Sequence, residues 1–61
     1  MATPLEIRVN QKHHLSSLLI VKRANAGVSV AELQKQIEEA ITVMEAEDVA
    51  YVEKILGVKA I

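Results

Sequence analysis

The chain has 61 residues, no cysteine and a formal net charge of −1. A domain this small buries only about 60% of the surface that its unfolded chain exposes, so such chains usually need disulfides, metals or oligomerisation. The lack of cysteine excludes disulfides and thiolate metal sites. We therefore expect residues 1–61 to form one small domain that self-associates into a homodimer or a larger assembly.

The charges are divided unevenly along the chain. Residues 1–27 carry four basic side chains and one acid, whereas residues 28–61 carry three lysines and seven acids. This pattern suits either complementary packing between the halves or a basic N-terminal surface that meets a polyanion. On the second interpretation, the acidic C-terminal half is free to contact a protein partner.

No segment is apolar enough to span a bilayer, which takes about 20 residues. The longest uninterrupted apolar run is LLIV, residues 18–21. The N-terminal stretch MATPLEIR lacks the basic start and apolar stretch of a signal peptide. We therefore expect a cytoplasmic protein without a membrane partner.

The first element, in TPLEIRVNQ, has two incompatible interpretations. Thr3, Pro4 and Glu6 occupy the N-cap, first and third positions of a helix start. Residues 5–9 instead alternate apolar and polar side chains, which is typical of a half-exposed strand. A helix running from residue 4 to residue 26 has no coherent apolar face, so the sequence favours a strand at 5–9. A lone strand leaves backbone groups unpaired, and its natural partner is the same strand of a second copy.

The next element is predicted to be a helix over residues 11–26. Leu15, Leu18, Leu19 and Ala26 share one face of it, while Ile20 and Val21 lie off that face. A helix that is apolar on more than one side is usually buried on more than one side. This pattern again indicates a dimer.

A second helix is predicted over residues 29–56. Ser29 and Glu32 form a capping box, and Gly27 suits the end of the preceding helix. One apolar stripe then continues along the chain through Val30, Leu33, Ile37, Ala40, Ile41, Met44, Tyr51, Val52 and Ile55. Asp48 interrupts it, either because the helix breaks near 45–48 with Asp48 as a cap, or because Asp48 pairs with a basic residue across the dimer.

The order of strand, helix, glycine turn and capped helix resembles the ribbon-helix-helix family of DNA-binding repressors, the Arc and MetJ type. The matching stretches are LEIRVN, residues 5–10, and GVSVAEL, residues 27–33, with Leu15 and Leu19 at core positions of the first helix. The resemblance covers about residues 4–44. It implies a mainly α homodimer that acts as a small transcriptional regulator.

The resemblance also implies how DNA is bound. A two-stranded ribbon fits the major groove, where Glu6, Arg8 and Asn10 are expected to contact base edges. The N-terminus of the second helix is expected to seat a phosphate. The implied phosphate contacts are Lys12, Ser29, Val30 and Ala31.

The remaining polar residues do not predict catalysis, a metal or a cofactor. His13 and His14 are adjacent, so on a helix they diverge by about 100°, whereas zinc needs three or four convergent ligands. Ser16 and Ser17 have no evident base or oxyanion site. We therefore expect no enzyme activity.

An all-helical alternative remains open. Helices at about 4–26 and 29–56 then form a hairpin, and two hairpins pack as a four-helix bundle. Such a protein is expected to be an interaction adaptor or anti-regulator that does not bind DNA. The conformation of residues 5–9 separates the two hypotheses.

Overall fold

The computed structural model describes residues 4–24, 27 and 29–60, and it is helical. In chain order the elements are α1 (Pro4–Ala24), α2 (Val30–Thr42) and α3 (Ala46–Leu56). The described residues contain no strand. The prediction of a mainly α protein is therefore confirmed, and the all-helical alternative describes the chain better than the ribbon.

The predicted strand at residues 5–9 is wrong, because these residues form the first two turns of α1. Pro4 suits the start of a helix, where its missing N–H needs no partner. Glu6 in the first turn and the basic pair Lys22 and Arg23 in the last turn both complement the helix dipole. The first helix therefore begins at Pro4 instead of residue 11. Its predicted end at 25–26 and the predicted N-cap Thr3 lie outside the described residues.

The predicted second helix is broken, as one of the two interpretations expected. α2 ends at Thr42, and the N–H of Val43 then bonds the carbonyl of Ile41. α3 begins after Glu45, which has the extended conformation of an N-cap with φ −69° and ψ 140°. The break at residues 43–45 thus overlaps the predicted 45–48 segment only at Glu45, and Asp48 lies within α3 and does not cap it.

α1 packs against both α2 and α3, which make up the second half of the fold. Arg8 near the start of α1 bonds Asp48 near the start of α3, and Arg23 near the end of α1 bonds the carbonyl of Leu56. α3 therefore runs parallel to α1. Gln11 bonds the carbonyl of Val43 just beyond α2, so α2 runs antiparallel to α1.

The core lies where the three helices meet. Leu15, Leu18 and Leu19 of α1 are buried, as their shared face predicted. Each such side chain contributes about 1.5–3 kcal/mol when fully removed from water. The other helices and the C-terminal tail supply the remaining buried apolar residues: Ile37, Ala40, Val52 and Ala60.

The continuous apolar stripe predicted for residues 30–55 holds only in part. Leu33 and Ile41 of α2 pack against the core, but Tyr51 and Ile55 of α3 are 55% and 61% exposed. The break between the helices resets the helical phase, so the inward face of α3 keeps Val52 of the predicted stripe but not Tyr51 and Ile55. That face consists of Asp48, Val49, Val52 and Leu56.

Caps fix the ends of the helices. The Ser29 hydroxyl accepts from the N–H of Glu32 at 3.4 Å, which confirms the predicted N-cap of α2. Gly57 ends α3 with φ 68°, and its N–H bonds the Glu53 carbonyl at 2.8 Å. A left-handed φ at this position favours glycine.

The tail after α3 folds back onto the helices. The N–H of Ala60 donates to a carboxylate oxygen of Glu53 at 2.7 Å, and Lys22 Nζ donates to the carbonyl of Lys59 at 2.8 Å. No helix in the described part of the chain is long and apolar enough to cross a membrane.

Candidate functional site

A cavity of about 250 Å³ lies between α1 and α3, and we call it the α1/α3 groove. Tyr51 and Ile55 border it because they flank the inward face of α3 and, four residues apart, lie on the same side of the helix. The groove is lined by Val9, Lys12, His13, Ser16, Tyr51, Val52 and Ile55.

Apolar side chains are exposed at this groove and directly beyond its ends. Val9, Tyr51 and Ile55 are 39%, 55% and 61% exposed. Leu5 lies one helical turn before Val9, Ile20 lies one turn after Ser16, and both are more than half exposed. A cluster of exposed apolar side chains of this kind marks an interaction site more often than scattered single residues do.

Ser16 is the small residue at the floor of the groove. Its hydroxyl donates to the carbonyl of Lys12 in the preceding turn at 2.7 Å, and the hydroxyl of Ser17 donates to that of His13 at 3.1 Å. Both hydroxyls are thus satisfied by their own helix. Ser16 can therefore be covered by another surface without leaving an unpaired donor.

Lys12 places a positive charge at the rim of the groove. Its Nζ lies 5.3 Å from the centre of the Tyr51 ring, within the range of a cation–π interaction. The contact holds the ammonium against α3. Lys12 of α1 thus reaches across the groove to Tyr51 of α3.

A second cavity, of about 300 Å³, lies between α1 and α2, and we call it the α1/α2 groove. It contains two of the exposed large apolar side chains, those of Ile7 and Val43. Gln11 closes part of it by bonding the Val43 carbonyl at 3.3 Å. The α1/α3 groove is lined by three exposed large apolar side chains, those of Val9, Tyr51 and Ile55, so the α1/α2 groove is the weaker candidate for an interaction site.

An ion-pair cluster joins the beginnings of α1 and α3. Arg8 Nε donates to Asp48 Oδ2 and Arg8 Nη2 donates to Asp48 Oδ1, both at 2.8 Å, and Nη2 also reaches Glu47 Oε1 at 2.9 Å. The Asp48 carboxylate is buried, whereas that of Glu47 is exposed. The sequence interpretation of Asp48 as half of an ion pair is thus right in kind, but its partner belongs to the same chain.

The cluster changes the acidity of both groups. Hydrogen bonds from Arg8 lower the pKa of Asp48 below its usual value, and they outweigh the desolvation that acts in the opposite direction. Hydrogen bonds to Asp48 and Glu47 in turn raise the pKa of Arg8 further. Arg8 therefore carries its charge permanently and spends most of its donors inside the fold.

The residues predicted to contact bases do not share one face of an element. Since α1 is helical at Glu6, Arg8 and Asn10, successive members of this set point about 160° apart around the helix. Arg8 binds Asp48 and Glu47, and Asn10 borders the α1/α2 groove. Residues 5–9 are not the strand that would direct all three toward one DNA groove, and DNA contact by these residues stays a prediction.

The residues predicted to contact phosphate are also dispersed. Lys12 lies over Tyr51, whereas Ser29 borders a third cavity together with Leu18 and Val21, toward the other end of α1. The Ser29 hydroxyl already accepts the N–H of Glu32. Val30 and Ala31 are exposed in the first turn of α2.

The adjacent histidines lie in different grooves. His13 borders the α1/α3 groove and His14 borders the α1/α2 groove, as the 100° step of a helix requires. Within residues 4–24, 27 and 29–60, no group of three or more His, Cys, Asp or Glu side chains is placed to hold a metal ion.

No family model, curated protein or solved structure matches the chain. The resemblance to the ribbon-helix-helix family therefore stays a prediction made from the residues.

Apart from Lys12, the residues of the α1/α3 groove are missing from the site that the sequence predicted. One sequence signal could have indicated an interaction surface here: the apolar residue Ile20 lies off the core face of the first helix. The other half of the groove depends on the break before α3. That break turns Tyr51 and Ile55 outward.

Proposed function

We propose that this chain is a non-enzymatic protein-interaction module whose α1/α3 groove receives an amphipathic helix of its binding partner. One observation carries the proposal. Of the eight large hydrophobic side chains that are exposed among the described residues, five border this groove or lie one turn beyond it. They are Leu5, Val9, Ile20, Tyr51 and Ile55.

The dimensions of the apolar surface suit a helix. From Leu5 to Ile20 it extends over about 22 Å, the length of roughly 15 helical residues. The surface lies between two parallel helices, which form a natural trough for a third. Helices that bind in such troughs insert apolar side chains spaced three or four residues apart.

Charge favours a protein partner over the DNA partner that the sequence predicted. The chain has a net charge of −1, whereas nucleic-acid affinity depends on neutralising phosphates with basic residues. Arg8, the strongest candidate for a base contact, is bound by two acids of its own chain. Cytoplasmic location and a further protein contact through the acidic C-terminal half stay predictions.

Site-specific photocrosslinking tests this function. A benzophenone amino acid replaces Tyr51 in one variant and Lys35, on the exposed side of α2, in a matched control. Both proteins are irradiated in cells that express the chain naturally. The proposal requires a discrete adduct from position 51 that exceeds the control and maps by mass spectrometry to an apolar face of a helical segment.

The second part of the test removes the apolar groove. Ile55→Glu in the Tyr51-labelled chain is expected to abolish the adduct, whereas Val30→Glu, at a site that is also more than half exposed but lies outside the groove, is expected to leave it. Circular dichroism establishes that both variants remain helical. An adduct yield at position 51 that is no higher than the yield at position 35 contradicts the proposal.

A further inference from the structure

We infer that the helix in the α1/α3 groove is α1 of a second copy of this chain, packed antiparallel about a two-fold axis. This inference rests on the proposed function and names the occupant of the same groove. It makes the module a homodimer in which α1 and α3 of both copies form a four-helix layer. The two-fold axis crosses α1 at the point between Lys12 and His13.

The spacing of one stripe on α1 carries the inference. Leu5, Val9, Ser16 and Ile20 lie within about 60° of one another around the helix, since each residue advances 100°. We call these four residues the α1 stripe. Three of them are exposed apolar side chains, and Ser16 has its hydroxyl satisfied within the helix.

The α1 stripe is symmetric about its own centre. Leu5 and Ile20 lie equally far from the point between residues 12 and 13, and so do Val9 and Ser16. When two copies pack antiparallel about that point, Leu5 meets Ile20 of the second copy and Val9 meets Ser16 of the second copy. A two-fold interface must be self-complementary in this manner, whereas a partner of another kind imposes no such symmetry.

The residues beside the centre permit close approach. Lys12 and His13 lie on opposite sides of the α1 stripe, and Lys12 is held over Tyr51. The ammonium of each copy is thus held against its own Tyr51 ring, beside the seam. Small Ser16 opposite Val9 leaves room for the helices to come together.

The solvent-exposed surface area of the chain agrees with a protomer that associates with a second copy. The chain exposes 4478 Å². A folded monomer of its mass, 6.7 kDa, is expected to expose about 3,900 Å². The excess, roughly 600 Å², approaches the 800 Å² or so that each partner buries in a standard interface. Only three large side chains, Leu15, Leu19 and Ile37, are fully buried within the described protomer.

Sedimentation equilibrium of the full chain at micromolar concentration tests the assembly. The expected mass is twice 6.7 kDa. Ile20→Asp places a charge in the seam of each copy and is expected to raise the dimer dissociation constant by about 100-fold or more. Val43→Asp, at a site that is also more than half exposed but lies in the α1/α2 groove, is expected to leave the dimer intact. A dimer that Val43→Asp disrupts and Ile20→Asp spares overturns the inference.

Disulfide trapping tests the antiparallel register without a destabilising charge. The natural chain has no cysteine, so Val9→Cys and Ser16→Cys introduce the sole thiol of each variant. Mixed in equal amounts and oxidised with glutathione disulfide, the two variants are expected to form a covalent dimer containing one chain of each. Either variant alone is expected to cross-link no more than Lys35→Cys. Efficient Val9→Cys self-cross-linking indicates a parallel seam and overturns the inference.

The outcomes separate this inference from the proposed function. A monomeric chain whose Tyr51 position still labels a helix of another protein contradicts the homodimer but retains the interaction module. A monomeric chain with no specific adduct contradicts both. An adduct with twice the mass of the chain, which joins position 51 of one copy to α1 of another, supports both.

Discussion

Arg8 binds both carboxylate oxygens of Asp48, with each donor 2.8 Å from its acceptor. The two residues are 40 positions apart in sequence, and their contact fixes the start of α3 beside the second turn of α1. Asp48 is only 5% exposed, so its charge depends on this partner for compensation. The pair sets the position of α3 and thereby places Tyr51 and Ile55 at the α1/α3 groove.

Breaking this pair is expected to destabilise the fold more than removing its exposed neighbour. Arg8→Ala leaves a buried carboxylate without its donors, so it lowers the free energy of unfolding more than Glu47→Ala does. In a double-mutant cycle, Arg8→Ala with Asp48→Ala costs less than the two single changes added together. Urea denaturation measures all four proteins, and strict additivity would contradict a direct coupling.

Acid is expected to weaken the protein through Asp48. Because Arg8 lowers the pKa of Asp48 in the folded state, the unfolded chain binds the proton more tightly, and acidification favours unfolding. The stabilisation is complete above the ordinary value near 3.8 and is lost as the pH falls from there through the lower folded pKa. Urea midpoints between pH 6 and pH 2.5 measure this loss. Asp48→Asn should reduce the fall of the urea midpoint at low pH, and Glu47→Gln should largely preserve that fall.

The sequence pattern correctly predicted those features of the fold that depend on residues close together in the chain. The core face of Leu15, Leu18 and Leu19 and the Ser29 cap are both encoded within a few turns of chain. Residues 5–9 were assigned to a strand because apolar and polar residues alternate there. Most of their side chains are exposed in α1. Because these positions are not buried, the sequence there need not repeat apolar residues at the period of a helix.

The candidate site could not be predicted for a related reason. It depends on the α2–α3 break and on the Arg8–Asp48 contact, which joins distant parts of the chain. A continuous stripe through Tyr51 and Ile55 indicated burial because sequence periodicity assumes an unbroken helix. The break of three residues, 43–45, turns both side chains toward solvent.

Core truncation is expected to be severe in so small a chain. Leu19 is fully buried, and Leu19→Ala should cost about 2–5 kcal/mol through lost transfer energy and the cavity that remains. That is much of the 5–15 kcal/mol that typical domains possess. Thermal and urea denaturation followed by circular dichroism measure the loss. Val30→Ala, at a site 72% exposed, should stay within about 0.5 kcal/mol of the natural chain.

Gly57→Ala is expected to cost about 1–2 kcal/mol of unfolding free energy. Gly57 has φ 68°, and a methyl group added at its Cα would meet no atom within 4 Å beyond its own residue and its chain neighbours, so the cost comes from the left-handed backbone and not from tertiary crowding. Lys54→Ala, in the last turn of α3, provides a control with the same new side chain at ordinary helical φ. Equal stability of the two variants would contradict a left-handed cap at residue 57.

Ile7→Ala distinguishes the helical N-terminus from the ribbon by its energetic effect. In α1 the side chain of Ile7 is 46% exposed, and alanine has the higher helix propensity, so the change should cost at most about 1 kcal/mol. In a ribbon with residues 5, 7 and 9 turned to the core, the same change should cost about 2–5 kcal/mol. Backbone ¹³Cα shifts provide the structural control, because residues 5–10 should show helical values. Extended values with contacts between strands of two copies would restore the ribbon and, with it, the predicted roles of Glu6, Arg8 and Asn10 at DNA.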